Sequence, residues 1–181
     1  MTASISAISV ENQETVLVEK LNTETYQIPA FNQAEDMEAK TREARAEAID
    51  AYFRKYKMPL LGTGEKMVEE AEKYDLDWRL LPAIAVREST GGIHACKKAQ
   101  YNPFGWGSCK ISFNSYEHAI EVVARNLGGE NPNTAKHYNG KDTKAILLAY
   151  NPPSIVPRYA TQVISIMNRI GEKKLPQANE A

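Results

Sequence analysis

Glu88 is the residue whose type and position could carry chemistry, at the end of the run Leu80-Leu81-Pro82-Ala83-Ile84-Ala85-Val86-Arg87-Glu88-Ser89. On a helix, Leu81, Ile84, Ala85 and Glu88 share one side, so a carboxylate ends the apolar face that should enter the core. Burial disfavours the charged form of a carboxylate, the condition a general acid needs near neutral pH. The plainer alternative is a helix-end glutamate that turns outward and pairs with Arg87 or a nearby lysine. Arg87, Lys97, Lys98 and Lys110 make the neighbourhood basic. Positive charge opposes the protonated form, so burial has to outweigh it if Glu88 is an acid. Ser89 adjoins this carboxylate and either orients it or hydrogen-bonds locally at the helix end.

Cys96 and Cys109 are the only cysteines and flank Asn102-Pro103-Phe104-Gly105-Trp106-Gly107-Ser108. A bridge between them would close a loop of a size whose chain-entropy effect is about 3 kcal/mol, and would favour an oxidising, extracytoplasmic location. Two other readings stay open: a pair of reduced, packed thiols, or a zinc site using His94, Cys96 and Cys109, which lacks a clear fourth ligand. The expected state is the disulfide, with no metal and no cofactor. His118 and His137 are expected to be solvated.

The 181 residues carry 22 Lys+Arg against 23 Asp+Glu, a net charge of -1. With no basic excess to neutralise phosphates, nucleic acid is a poor partner. The 43% hydrophobic and 25% charged content is that of a globular domain. Leu80 to Val86, the longest mostly apolar run, is too short to span a bilayer. No signal peptide is visible, so any leader or anchor of an extracytoplasmic protein is expected to be absent from this chain.

The elements that must position these residues are helical. Residues 1–36 hold one basic residue, Lys20, and one short alternating patch, Val16 to Leu21; they read as a tail or tether with at most one docked strand. Glu38 to Tyr56 places Ile49, Tyr52, Phe53 and Tyr56 at helical spacing, ending before Pro59. Further faces join Met67, Ala71 and Tyr74; Tyr116, Ile120, Val123 and Leu127; and Tyr159, Val163, Ile166 or Met167, and Ile170. A helix from Thr143 is stopped near Asn151 by Pro152-Pro153. Thr63, Asp77 and Ser115 read as helix starts. Between Ser89 and Ser115 lie four glycines, one proline and no clear period, a loop long enough to suggest function. The expectation is a mainly α domain over 37–172, with this loop or a small hairpin beside a cleft, and a C-terminal tail at 173–181.

Four motifs in order, followed by a closing helix, carry a resemblance to a known group. Ala83-Ile84-Ala85-x-x-Glu88-Ser89 before a glycine resembles the signature of the lysozyme-like superfamily, in particular soluble lytic transglycosylases. Tyr101-Asn102-Pro103-Phe104-Gly105-Trp106-Gly107 and Phe113-x-Ser115-Tyr116-Glu117-x-Ala119-Ile120 resemble segments of cell-wall N-acetylglucosaminidases. Ala149-Tyr150-Asn151-Pro152 resembles the Ala-Tyr-Asn-x-Gly motif of transglycosylases, and Tyr159 to Ile170 their closing helix. Pro153 stands where transglycosylases usually have glycine, and their glutamine-rich segment after the acid is replaced by Asn102 to Ser108.

The resemblance, covering about residues 45–171, implies a lysozyme-like fold and a peptidoglycan-cleaving glycosidase, a transglycosylase or muramidase cutting the MurNAc-β-1,4-GlcNAc bond, with glycan strands as partner and a monomeric chain. The alternatives are an endo-β-N-acetylglucosaminidase and a catalytically idle glycan-binding wall protein. Glu88 would be the catalytic acid. Tyr150 would help position the substrate or Glu88, Asn151 would offer amide hydrogen bonds to sugar or backbone, and Tyr159, Ser89 and Asn102 would help hold substrate, with Phe104 and Trp106 against sugar faces. Tyr150, Phe104 and Trp106 could equally be core or loop anchors. No Asp or Glu occurs from Ser89 through Tyr116, so the loop lacks the second carboxylate that glycosidases usually place across the scissile bond. A single-carboxylate scheme is favoured, with help from the substrate's N-acetyl group.

Overall fold

The computed structural model describes the backbone of residues 11–171 and the side chains of 33–171. Among these residues there are seven helices and no strand: α1 Glu11–Lys55, α2 Gly64–Lys73, α3 Leu80–Ser89, α4 Tyr116–Leu127, α5 Ala135–Tyr138, α6 Thr143–Tyr150 and α7 Tyr159–Ile170. The chain divides into two units, 1–41 and 42–181.

The first unit corrects one expectation. The Val16 to Leu21 patch, read as a strand, lies in helical backbone, and α1 continues through residues 36 and 37 without a break. Glu and Gln recur along this stretch, with Leu17, Lys20 and Leu21 among them, and propagate a helix without an apolar period to announce it. Residues 1–10 of the expected tail, and the C-terminal tail at 173–181, lie outside the described residues.

The second unit is built around α3. Leu80, Leu81, Ala83, Ile84 and Ala85 are all fully buried, so the first turns of this helix are apolar all round and occupy the centre, while its last turn, with Arg87 and Glu88, reaches the surface. Each such Leu or Ile contributes about 1.5–3 kcal/mol by leaving water. Pro82 is tolerated because it sits in the first turn, where a backbone N–H has no intrahelical acceptor. Ile49 and Phe53 of α1, Met67 and Val68 of α2, Ile120 and Val123 of α4, Leu147 of α6 and Val163 of α7 complete the same core.

Helix starts follow local polar chemistry, though not always at the expected residue. Ser115 caps α4 by accepting from His118 N at 3.2 Å, and Asp142 caps α6 by accepting from Ala145 N at 2.7 Å. Thr63 does not cap α2; its hydroxyl donates to Leu60 O at 2.7 Å. Asp50 of α1 supplies the acceptor instead, taking Gly62 N at 2.9 Å and Gly64 N at 3.1 Å. Asp77 likewise stands before the helix, accepting from Arg79 N and pairing with its guanidinium, while α3 begins at Leu80.

The segment between α3 and α4 is irregular throughout, so the hairpin alternative is not adopted. Cys96 and Cys109 are joined, with Cα atoms 5.5 Å apart, and Phe104 and Phe113 anchor the segment in the core. Asn102, fully buried, holds its tip: Nδ2 donates to Trp106 O and Ile111 O, both at 2.9 Å, and Oδ1 accepts from Trp106 N at 2.9 Å.

Candidate active site

Glu88 emerges from the last turn of the central helix, half-buried, into a cleft of about 470 Å³. The α3 C-terminus turns sharply there: Thr90 is left-handed at φ 54°, and Thr90 N and Gly91 N donate to Val86 O and Ala85 O. This turn satisfies the free carbonyls at the helix end and sends the chain into the long loop.

The carboxylate is held from behind. Tyr159, first residue of α7, donates its phenolic hydroxyl to Glu88 Oε1 at 2.6 Å. Its ring stacks on Tyr150, with centroids 5.9 Å apart and planes at 10°. Tyr150, last residue of α6, donates to Phe104 O at 2.6 Å. Burial, reinforced by the neighbouring Glu88 charge, pushes both phenols well above the ordinary tyrosine range. Both hydroxyls are therefore protonated donors near neutral pH. Two hydrogen bonds thus tie the ends of α6 and α7 to the acid and to the loop.

On the other side, Gly105 lies against the second carboxylate oxygen. A Cβ at this position would sit 3.1 Å from Glu88 Oε2, and the backbone is left-handed at φ +63°. Glycine is favoured on both counts: a methyl would crowd the carboxylate and strain the backbone. Oε1 is occupied by Tyr159 and Oε2 is the oxygen left on the loop side.

The outward-turned alternative for Glu88 is not adopted. Among the described residues it is in no ion pair. Arg87 points elsewhere: its Nε donates to Gln162 Oε1 at 2.8 Å and its guanidinium lies over the Tyr159 ring, 5.6 Å from the centroid. Lys97, Lys98 and Lys110 are exposed.

Of the residues expected at a substrate surface, Phe104, Trp106, Tyr150 and Asn151 line the cleft with Glu88. Ser89, Asn102 and Tyr159 do not; all three are buried. Ser89 donates to Pro103 O at 2.7 Å and accepts from Gly92 N at 2.9 Å. Asn102 spends both ends of its amide on loop backbone. These residues shape the wall and hold the acid, and their polar atoms are already satisfied.

Sequence reasoning missed the far wall. Tyr138, on the four-residue α5, lines the cleft with Thr134 and His137. Its ring lies 6.4 Å from Trp106, which is 5.8 Å from Tyr150, so aromatic faces run from Tyr138 through Trp106 to Tyr150. One helical turn has no period to read; the only available signal was a tyrosine before Asn139-Gly140. His137 is exposed, as expected, but at the cleft. His118 is half-buried rather than free, its ring edge-on to Phe113 at 5.8 Å and its Nδ1 accepting from Asn114 N at 3.4 Å.

The zinc alternative fails on the cysteines, whose sulfurs are bonded to each other; a thiolate pair is not present to join His94. No other His, Cys, Asp and Glu grouping suited to a metal occurs among the described residues. Nor is any helix among them long and apolar enough to cross a membrane. No family model matches the chain, and no curated protein is significantly similar to it.

Proposed function

We propose that this protein is a lysozyme-like glycosidase that cleaves peptidoglycan at the MurNAc-β-1,4-GlcNAc bond, with Glu88 as its single catalytic carboxylate. The observation that carries the reading is that, among the described residues, Glu88 is the one carboxylate on the lining of an aromatic-walled cleft, with one oxygen tied to Tyr159 and the other on the loop side. Trp106 and Tyr138 offer the flat apolar faces that suit pyranose rings, and Asn151 an amide for sugar hydroxyls or the acetamido group.

In this scheme protonated Glu88 gives its proton through Oε2 to the glycosidic oxygen as the C1–O bond breaks. Without a second carboxylate across the cleft, the oxocarbenium-like centre is met by the substrate's own N-acetyl oxygen. Glu88, now a carboxylate, takes the proton of the incoming hydroxyl, which is the sugar C6 hydroxyl in a transglycosylase and water in a muramidase. Tyr159 keeps the carboxyl group from rotating between the two steps and is a positioning residue. The Cys96–Cys109 bond fits an oxidising compartment, where the wall substrate lies.

Mass spectrometry of purified peptidoglycan after digestion tests this. Anhydro-MurNAc ends or reducing MurNAc ends are the expected products. Reducing GlcNAc ends would move the assignment to an endo-β-N-acetylglucosaminidase. No release from several wall types, with retained glycan binding, would mark an idle binding protein.

A further inference from the structure

Behind Tyr159, away from the cleft, α3 and α7 form a second groove of about 490 Å³. Arg87, Arg158 and Arg169 line it with Thr161, Gln162 and Ser165. Thr161, Gln162, Ser165 and Arg169 recur at three- and four-residue steps, so they make one stripe along α7, and Arg158, left-handed at φ 68°, stands just before its first residue. No carboxylate lines the groove, and none of the three arginines is in an ion pair among the described residues. Arg169 also acts on the Tyr52 phenol, lowering its pKa against the larger effect of burial. The protein as a whole carries a net charge of -1, so this concentration of guanidinium groups is local, and like charges held together without counter-charge repel.

We propose that this groove binds successive phosphates of a phosphodiester polymer. Guanidinium forks match phosphate oxygens in bidentate fashion, and the Thr161 and Ser165 hydroxyls add donors between them. Arg87 is preset for this: Gln162 holds its Nε and the Tyr159 ring supports its face, leaving the terminal nitrogens to a ligand. The groove is much larger than one phosphate, which favours a polymer over a single ion. Ile166, itself buried, is the only apolar side chain on its lining, so nothing there inserts into lipid and a membrane surface is the poorer match. The inference stands apart from the role given to Glu88, because binding is read without glycan cleavage.

Titration of the full chain with a short poly(glycerol phosphate), followed by calorimetry and by amide chemical shifts, tests it. The expected result is saturable binding that weakens as salt rises, with shifts centred on Arg87, Thr161, Gln162 and Ser165. Arg158→Gln with Arg169→Gln should weaken binding about ten-fold or more and leave thermal unfolding and any glycan cleavage unchanged. The shift map needs no variant and decides the case if the double variant fails to fold. No saturable binding, shifts centred on the cleft, or equal binding of inorganic phosphate or polyglutamate would overturn the proposal. So would tighter binding to phosphatidylglycerol vesicles, which would assign the groove to a membrane.

Discussion

The two sides of the Glu88 cleft are stabilised by different physics. Behind the acid, α3 and α7 pack through apolar faces, with Ile84 and Val163 fully buried and the Tyr159 and Tyr150 rings stacked. Facing it, the loop from Thr90 to Ser115 forms no helix or strand and is held by scattered contacts: backbone turns, the buried Asn102 amide, hydrogen bonds from Ser89 to Pro103 O and from Tyr150 to Phe104 O, one cross-link and two buried phenylalanines. The difference teaches where precision comes from in each case. The acid inherits its position from the core, while the wall is specified atom by atom and should yield to local changes that the core does not feel.

Breaking the core side should have the largest effect. Ile84→Ala removes a fully buried side chain from the central helix and is expected to cost about 2–5 kcal/mol, read as a fall in denaturant midpoint with activity lost only in proportion to unfolding. A change below about 0.5 kcal/mol would mean that α3 is not central.

The wall side should respond to covalent change. Replacing both Cys96 and Cys109 by Ser removes a constraint worth at most about 3 kcal/mol. Glycan cleavage should fall more than helix content does, because Gly105 to Ser108 lie inside the closed loop. Circular dichroism and muropeptide release on the same sample measure the two; parallel losses would show that the loop is part of the core unit.

Gly105→Ala sharpens the comparison at the point where the two sides meet. The added methyl would crowd Glu88 Oε2 and strain a left-handed backbone, so kcat should drop about ten-fold, equivalent to about 1.4 kcal/mol, beside a loss of about 1–2 kcal/mol in stability. Unchanged kcat would place Oε2 outside the reacting position.

The same division explains what the sequence could reveal. The 3.6-residue period exposes α2, α4, α6 and α7, and the second half of α1, because each lays an apolar stripe on one core. It is blind to residues 11–36, where helix-forming residue types recur without a stripe, and to α5, a single turn. Glu88 was legible because a carboxylate on an apolar face is a conflict visible in one dimension. Its partner Tyr159 was legible as a residue expected to hold substrate but not as the donor to Glu88, since 71 residues separate the two groups and nothing local marks a hydroxyl bound for a distant carboxylate. Asn102 misled for a related reason: an asparagine in a glycine-rich loop can face a sugar or its own backbone with the same chemistry, and here the backbone takes all three bonds.

Glu88→Gln tests the central claim most directly, assayed for muropeptide release from purified peptidoglycan beside thermal unfolding of the same preparation. The amide keeps the size of the side chain but cannot deliver a proton, so cleavage should fall by at least about 100-fold while the fold survives. A variant as active as the wild-type protein would contradict the assignment of Glu88 as the acid.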